Sequence, residues 1–177
     1  MAEPIAEQIA AAVQTILAGI VAGAIPTGGT APYHYTPTRV VRFAGFTSDC
    51  LDPKPKDCTI YVISPDRRER RLETNRQIES VKYLDLSLAT KHVPPTLQIE
   101  KPLAADSSVR ALKQVRMQAD VERALCGSDV TLGLSGIGVY KTEITLWDED
   151  PETTFLDGWA VTYGRLAVTY RHLRGTP

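Results

Sequence analysis

Side chains able to do chemistry are few in this chain of 177 residues, and they stand apart. There are three histidines. His34 sits between Tyr33 and Tyr35, His92 precedes Val93-Pro94, and His172 lies near the C-terminal end. None has a Cys, Asp or Glu at a spacing that would make a metal site or a nucleophilic triad. The strings G-x-S-x-G and H-E-x-x-H do not occur. Asp148-Glu149-Asp150 could attract a hard cation, but it lacks the alternating ligands of a calcium loop and Pro151 follows at once; it reads as a solvated turn. Gly28-Gly29 is no phosphate loop, because no Lys-Ser/Thr follows it and no strand precedes it. The expectation is a non-enzyme with no cofactor and no metal. Were it an enzyme, His34 and Asp85 would be the first suspects.

Cys50 and Cys58 flank a proline-rich loop and could close it as a disulfide, which a reducing compartment disfavours. Cys126 beside Gly127 reads as a small, half-buried residue at a helix end. The one marked charge run is Arg67, Arg68, Arg70, Arg71 and Arg76, interleaved with Asp66, Glu69, Glu73 and Glu79. The acids almost neutralise it and no aromatic is interleaved to stack a base, so it is a poor nucleic-acid site. It reads either as a solvated loop or hairpin tip, or as a surface that meets an acidic partner. A net charge of −1 gives the whole chain no electrostatic pull toward DNA or an anionic membrane.

The elements that must carry these residues follow from periodicity. Residues 3–22 predict a helix with Pro4 in its first turn and a stripe of Ile5, Ile9, Ala12, Val13, Ile16, Leu17, Ile20 and Val21. Its polar interruptions rule out a membrane span, and the acids at its start with no preceding Lys or Arg argue against a signal peptide. Gly23 to Pro32 reads as loop, Tyr33 to Phe46 as a strand broken early by Pro37, and Thr47 to Asp57 as loop. Cys58 to Ile63 and Lys82 to Thr90 read as strands, the latter with Leu84, Leu86 and Leu88 on one face. A short edge strand is expected at Leu97 and Ile99. From Asp106 a second helix is expected, capped by Ser107 and Ser108, with Val109, Leu112, Val115, Ala119 and Leu125 on its apolar face and Gly127 at its end. Val139 to Trp147 and Val161 to Arg171 close the chain as strands. In the first, Tyr140, Thr142, Ile144 and Leu146 should share a side; in the second, Leu166, Val168 and Tyr170 should. The class is α+β: one domain over 1–177, a mostly antiparallel sheet with an N-terminal and a second helix packed on it, and long loops at 23–32, 44–57 and 64–80.

The order of these pieces resembles the tail terminator (tail completion, minor tail protein) family of long-tailed bacteriophages. The resemblance is carried by several pieces: the Ala-rich helix at the start; Ala124-Leu125-Cys126-Gly127 leading into Asp129-Val130-Thr131-Leu132-Gly133 and a strand; the acidic turn Trp147-Asp148-Glu149-Asp150-Pro151; and the ending Val168-Thr169-Tyr170-Arg171-His172, with Pro177 last. It implies a structural virion protein of the tail or neck, made in the host cytoplasm. Its subunits would form a homo-hexameric ring that caps the tail tube, ends its polymerisation and joins it to the head. The implied partners are the tail tube protein, the head–tail connector or stopper protein, and the sheath protein if the tail is contractile. Genomic DNA would pass through the lumen without specific binding. Arg67, Arg68, Arg70, Arg71 and Arg76 are the residues expected at an interface. The alternatives are a head-closure (stopper) or other neck protein of the same machine, or an unrelated small binding module.

Overall fold

The computed structural model describes residues 4–44, 57–65, 68–73, 77–91, 103–126, 132–134, 137–148 and 159–173. The chain runs α1 (Ile5–Ala18), β1 (Arg39–Phe43), β2 (Thr59–Ile63), β3 (Arg68–Glu73), β4 (Gln77–Lys91), α2 (Leu103–Leu125), β5 (Ile137–Asp148) and β6 (Trp159–Leu173). This is the expected α+β class, with two helices and one six-stranded, mostly antiparallel sheet among the described residues.

The sheet order is β1-β2-β4-β6-β5. β4 and β6 form its spine, paired from Gln77↔Leu173 to Lys91↔Trp159. β2 and β3 lie end to end along the other edge of β4: β2 opposite 85–89 and β3 opposite 78–82. β1 pairs parallel to β2, the one parallel pair among the described residues. The alternation read from the sequence decides the core. Leu84, Leu86 and Leu88 of β4, Leu166, Val168 and Tyr170 of β6, and Ile60 and Val62 of β2 are buried in one cluster with Ile5, Ile9, Val13, Leu17 and Ile20. Each of those five α1-side residues contributes on the order of 1.5–3 kcal/mol by leaving water. Both helices pack on this face of the sheet.

α1 starts after Pro4, whose carbonyl accepts from the Glu7 and Gln8 N–H groups, and the acid of Glu7 suits the positive helix start. It ends at Ala18, four residues short of the expected end, with Gly19 as its cap, so Val21 is exposed on the following loop. Residues 64–80, read as loop or hairpin tip, contain a hairpin arm: β3 and the first residues of β4. β1 begins only at Arg39.

Two expectations fail for identifiable reasons. α2 begins at Leu103, so Ser107 and Ser108 lie inside it and do not cap it. Of its expected apolar face, Leu125 is buried and Ala119 half-buried, whereas Val115 is 51% exposed; Met117, Asp120, Val121 and Ala124 complete the buried stripe. A period phased on Val115 misses the stripe on which the helix meets the sheet, because there a buried acid, Asp120, breaks the apolar pattern. In β5, register shifts fall between Val139 and Lys141 and again between Ile144 and Leu146. Each bulge inserts a residue and flips the alternation. Thr142 and Ile144 therefore reach the helix side with Trp147, while Tyr140 and Leu146 are left 52% and 53% exposed. The proposed edge strand at Leu97 and Ile99, the cap at Gly127, His92, and most of Asp148-Glu149-Asp150 lie outside the described residues.

Cys58 is a buried free thiol at φ 54°, left-handed backbone that a side chain tolerates only under constraint. Its carbonyl accepts from the Thr38 N–H, and Lys113 Nζ grips the neighbouring Asp57 carboxylate at 2.8 Å to both oxygens. Cys50 lies outside the described residues. Burial, then the Asp57 charge, pushes the Cys58 thiol up to about 11. Its folded pKa lies above its unfolded one, so its contribution to stability is full at neutral pH and fades as pH rises from about 9 toward 11. Iodoacetamide at pH 8 should leave the Cys58 peptide unmodified in the folded protein and modify it in guanidinium, read by mass spectrometry. Equal labelling in both would refute the burial.

Candidate functional site

The sheet has a helix-covered face and an opposite face, and the opposite face carries the charge. Along β4 the positions alternating with the leucines are Glu79, Val81, Tyr83 and Asp85, and along β6 they are Arg165, Ala167, Thr169 and Arg171. The register brings opposite charges across strands. Arg165 Nε donates to Asp85 Oδ1 at 2.9 Å, and Arg171 Nε and Nη2 both reach Glu79 Oε2 at 3.0 Å. On β5, Lys141 Nζ lies 2.6 Å from Glu143 Oε2, and Tyr83 Oη donates to Glu69 of β3 at 3.0 Å. The Arg171 guanidinium also stacks on the Tyr140 ring, 5.1 Å from its centroid. Partial burial, then the hydrogen bond and charge of Glu79, raise the Tyr140 phenol above its ordinary value, against the pull of Arg171. The outcome is a face on which described cations and anions largely cancel, set between the buried Val81, Ala167 and Thr169.

The arginine run falls at one end of this face. Arg68 and Arg70 occupy β3 positions opposite Lys82 and Ser80, and Arg71 stands at the register shift between Arg70 and Leu72. Arg70 is exposed. Arg67 and Arg76 lie outside the described residues. The hairpin thus brings Arg68, Arg70 and Arg71 together on one strand, and pairs that strand with β4.

The two residues suspected of catalysis are far from each other in role. Asp85 is held by Arg165 as above. His34 is bound to an acid that periodicity alone passes over: Asp120 of α2, whose side chain is 3% exposed. Both Asp120 oxygens take the His34 N–H, at 2.9 and 2.8 Å, and Oδ2 also takes the Tyr35 N–H at 2.9 Å. His34 Nδ1 lies 2.9 Å from Oδ1. A carboxylate only accepts, so Nδ1 carries the proton and donates. Arg123 Nη1, 3.3 Å from the same nitrogen, therefore only lies beside it; its hydrogen bonds go to Asp120 Oδ1 at 3.2 Å and the Pro32 carbonyl at 3.0 Å. This node fastens the 23–38 segment to α2. Its sequence signal is an acid between Met117, Val121 and Ala124, inside an apolar stripe.

Beside the node an open cavity of about 570 Å3 is lined by Ala12, Thr15, Ile16, Tyr33, Arg123 and Leu132, among others. Burial, then the Asp120 charge, raises the Tyr33 phenol. His34 is not among the lining residues, and no group of three or more His, Cys, Asp or Glu among the described residues could hold a metal ion. The geometry is that of a clamp, in which the carboxylate is consumed by backbone donors. No family model matches this sequence, and no curated protein matches it.

Proposed function

We propose that this protein is a structural ring subunit of a long-tailed phage: a tail terminator that caps the tail tube, ends its polymerisation and joins it to the head or neck. The observation that carries the reading is the charge-compensated wall of β4, β6 and β5, opposite a face sealed by two helices. A wall whose cations are already paired with anions offers a polyanion few uncommitted charges, which suits a channel through which DNA slides. The fold serves that role by covering one face of the sheet with α1 and α2 and carrying the cross-strand ion pairs of β4, β6 and β5 on the other. The partners are other copies of the chain, the tail tube protein, the connector or stopper protein, and a sheath protein if the tail contracts. The site of action is the virion tail or neck, after synthesis in the host cytoplasm.

The hairpin arginines are the proposed contact to the neighbouring ring or subunit. Replacing Arg67, Arg68, Arg70 and Arg71 with Ser should abolish head–tail joining in an assembly assay while circular dichroism shows an unchanged fold. Normal joining by the variant would remove the hairpin from the proposal. The ring itself is tested by light scattering over a concentration series, with and without purified tail tubes. The monomer is 19.4 kDa. A closed species of about six subunits, alone or only on the tube, is expected; a monomer that ignores the tube would overturn the reading. The cavity beside Tyr33 and Arg123 favours a small binding module as the second reading, and such a module would stay monomeric in the same experiment.

A further inference from the structure

We infer that residues 45–56, from the connection between β1 and β2, dock on the sheet face opposite the helices, over Thr59, Tyr61 and Ile63 of β2 and Ser87 and Ala89 of β4. Burial and chain chirality point there independently, and neither depends on the ring.

Strand alternation sets Thr59, Tyr61 and Ile63 on the face away from the core residues Ile60 and Val62, and the register brings Ala89, Ser87 and Asp85 beside them. Thr59, Tyr61, Ile63, Ser87 and Ala89 are each at most 5% exposed. Neighbours on a pleated face shield the flanks of a tyrosine or an isoleucine, not its tip. Phe43 of β1 stacks on Tyr61, with ring centroids 6.0 Å apart, but is itself only half-buried. Both helices pack on the other face, and no further helix or strand among the described residues is left to supply a cover. The cover is local. In the same rows on β6, Val161, Tyr163 and Arg165 are only half-buried, so it sits over the β1–β2 end of the sheet. Val81, Ala167 and Thr169 need none, being short side chains set among Glu79, Tyr83, Arg165 and Arg171 in the register.

Chirality selects the stretch. β1 and β2 are adjacent and parallel, so the chain leaving Phe43 must cross back along the sheet before it enters Thr59. The Phe43 carbonyl accepts from the Ser64 N–H and therefore points toward the β2 side. Its side chain lies with Tyr61 on the face away from the helices, whereas Val40 packs on the core and Arg42 reaches Glu7 of α1. For an L-residue in a strand running upward, seen with its side chain toward the viewer, the carbonyl points right. Seen from the Phe43 face, β2 thus lies to the right of β1. A connection crossing on the viewer's side is then right-handed, the hand of about 98% of such connections. Crossing behind would be left-handed and would compete with α1, which packs on β1 and β2 there. Such a crossover takes about a dozen residues or more, which 44–58 provides. The stretch also carries Phe46, Leu51, Pro53 and Pro55, apolar side chains suited to an apolar surface. The charge-paired surface is accordingly confined to β4, β6 and β5, and a partner of that surface meets the sheet there and not over β2.

The first test uses the full chain carrying Cys126→Ser. Cys58 is buried, so a nitroxide label reports from Cys50. In the NMR spectrum the label should broaden the amides of Thr59–Ile63 and Asp85–Ala89 more than those of Ile5–Ala18. Stronger broadening in α1, or in β5 and β6, would overturn the docking. The second test replaces residues 45–56 with Gly and Ser in a Ser87→Cys background. The introduced thiol should then react with iodoacetamide about tenfold faster or more than in Ser87→Cys alone, with the circular dichroism of the sheet retained. An unchanged rate in folded protein would overturn the docking and assign the cover to another stretch, such as 92–102 after Lys91 of β4. If the replacement does not fold, the nitroxide measurement decides. Neither result bears on the ring, which light scattering tests separately.

Discussion

Replacing Asp120 with Ala should destabilise the protein by about 3–4 kcal/mol, the cost of stripping a buried carboxylate from a set of committed donors. The His34 and Tyr35 N–H groups and His34 Nδ1–H would lose their acceptor, and Arg123 would lose its counter-charge beside α2. For a chain of this size that is a fall in Tm of roughly 6–15 °C. Asp120→Asn keeps the shape and one acceptor oxygen, but turns an amide toward donors it cannot satisfy; about half the loss should remain. The measurement is urea denaturation followed by circular dichroism, together with hydrogen exchange of residues 33–36. Protection there should collapse in Asp120→Ala before the sheet is affected, because the node holds a loop and not the core. A Tm within about 2 °C of the unaltered protein would show that the node is dispensable.

The second large effect is expected at Gly164. In β6 this glycine lies under the Trp147 indole of β5; a Cβ placed on it would stand 2.6 Å from Cε3 and overlap Cζ3. The indole cannot simply swing away. Its Nε1–H donates to Glu122 of α2, and its ring packs against the core. Gly164→Ala should therefore cost about 2–3 kcal/mol through overpacking. In a Trp147→Ala background the same change should cost under about 1 kcal/mol, because the obstruction is gone. Equal costs in the two backgrounds would show that the contact is not what fixes glycine here. A glycine inside a strand reads from sequence only as a mark of close approach; what approaches it is set by the bulge that turns Trp147 to this face.

The sequence by itself determined the parts of this protein that repeat with a regular period. The stripe of α1, the leucines of β4 and the Leu166, Val168 and Tyr170 row of β6 all became core, because a helix or strand with one apolar face has one way to hide it. The charge of the 65–80 region was legible too, since composition needs no geometry. Tertiary structure decided the rest. It placed β1 parallel beside β2, which no local signal specifies. It shifted the phase of β5 at two bulges, where a single inserted residue reverses every later side chain. It buried Asp120 in place of Val115, because the donors that compensate that acid come from residues 86 and 85 positions away along the chain. It aligned Asp85 with Arg165 and Glu79 with Arg171, pairs that exist only through the β4–β6 register. Period is a local property and survives in the sequence; pairing is a long-range one and is fixed only when the strands meet.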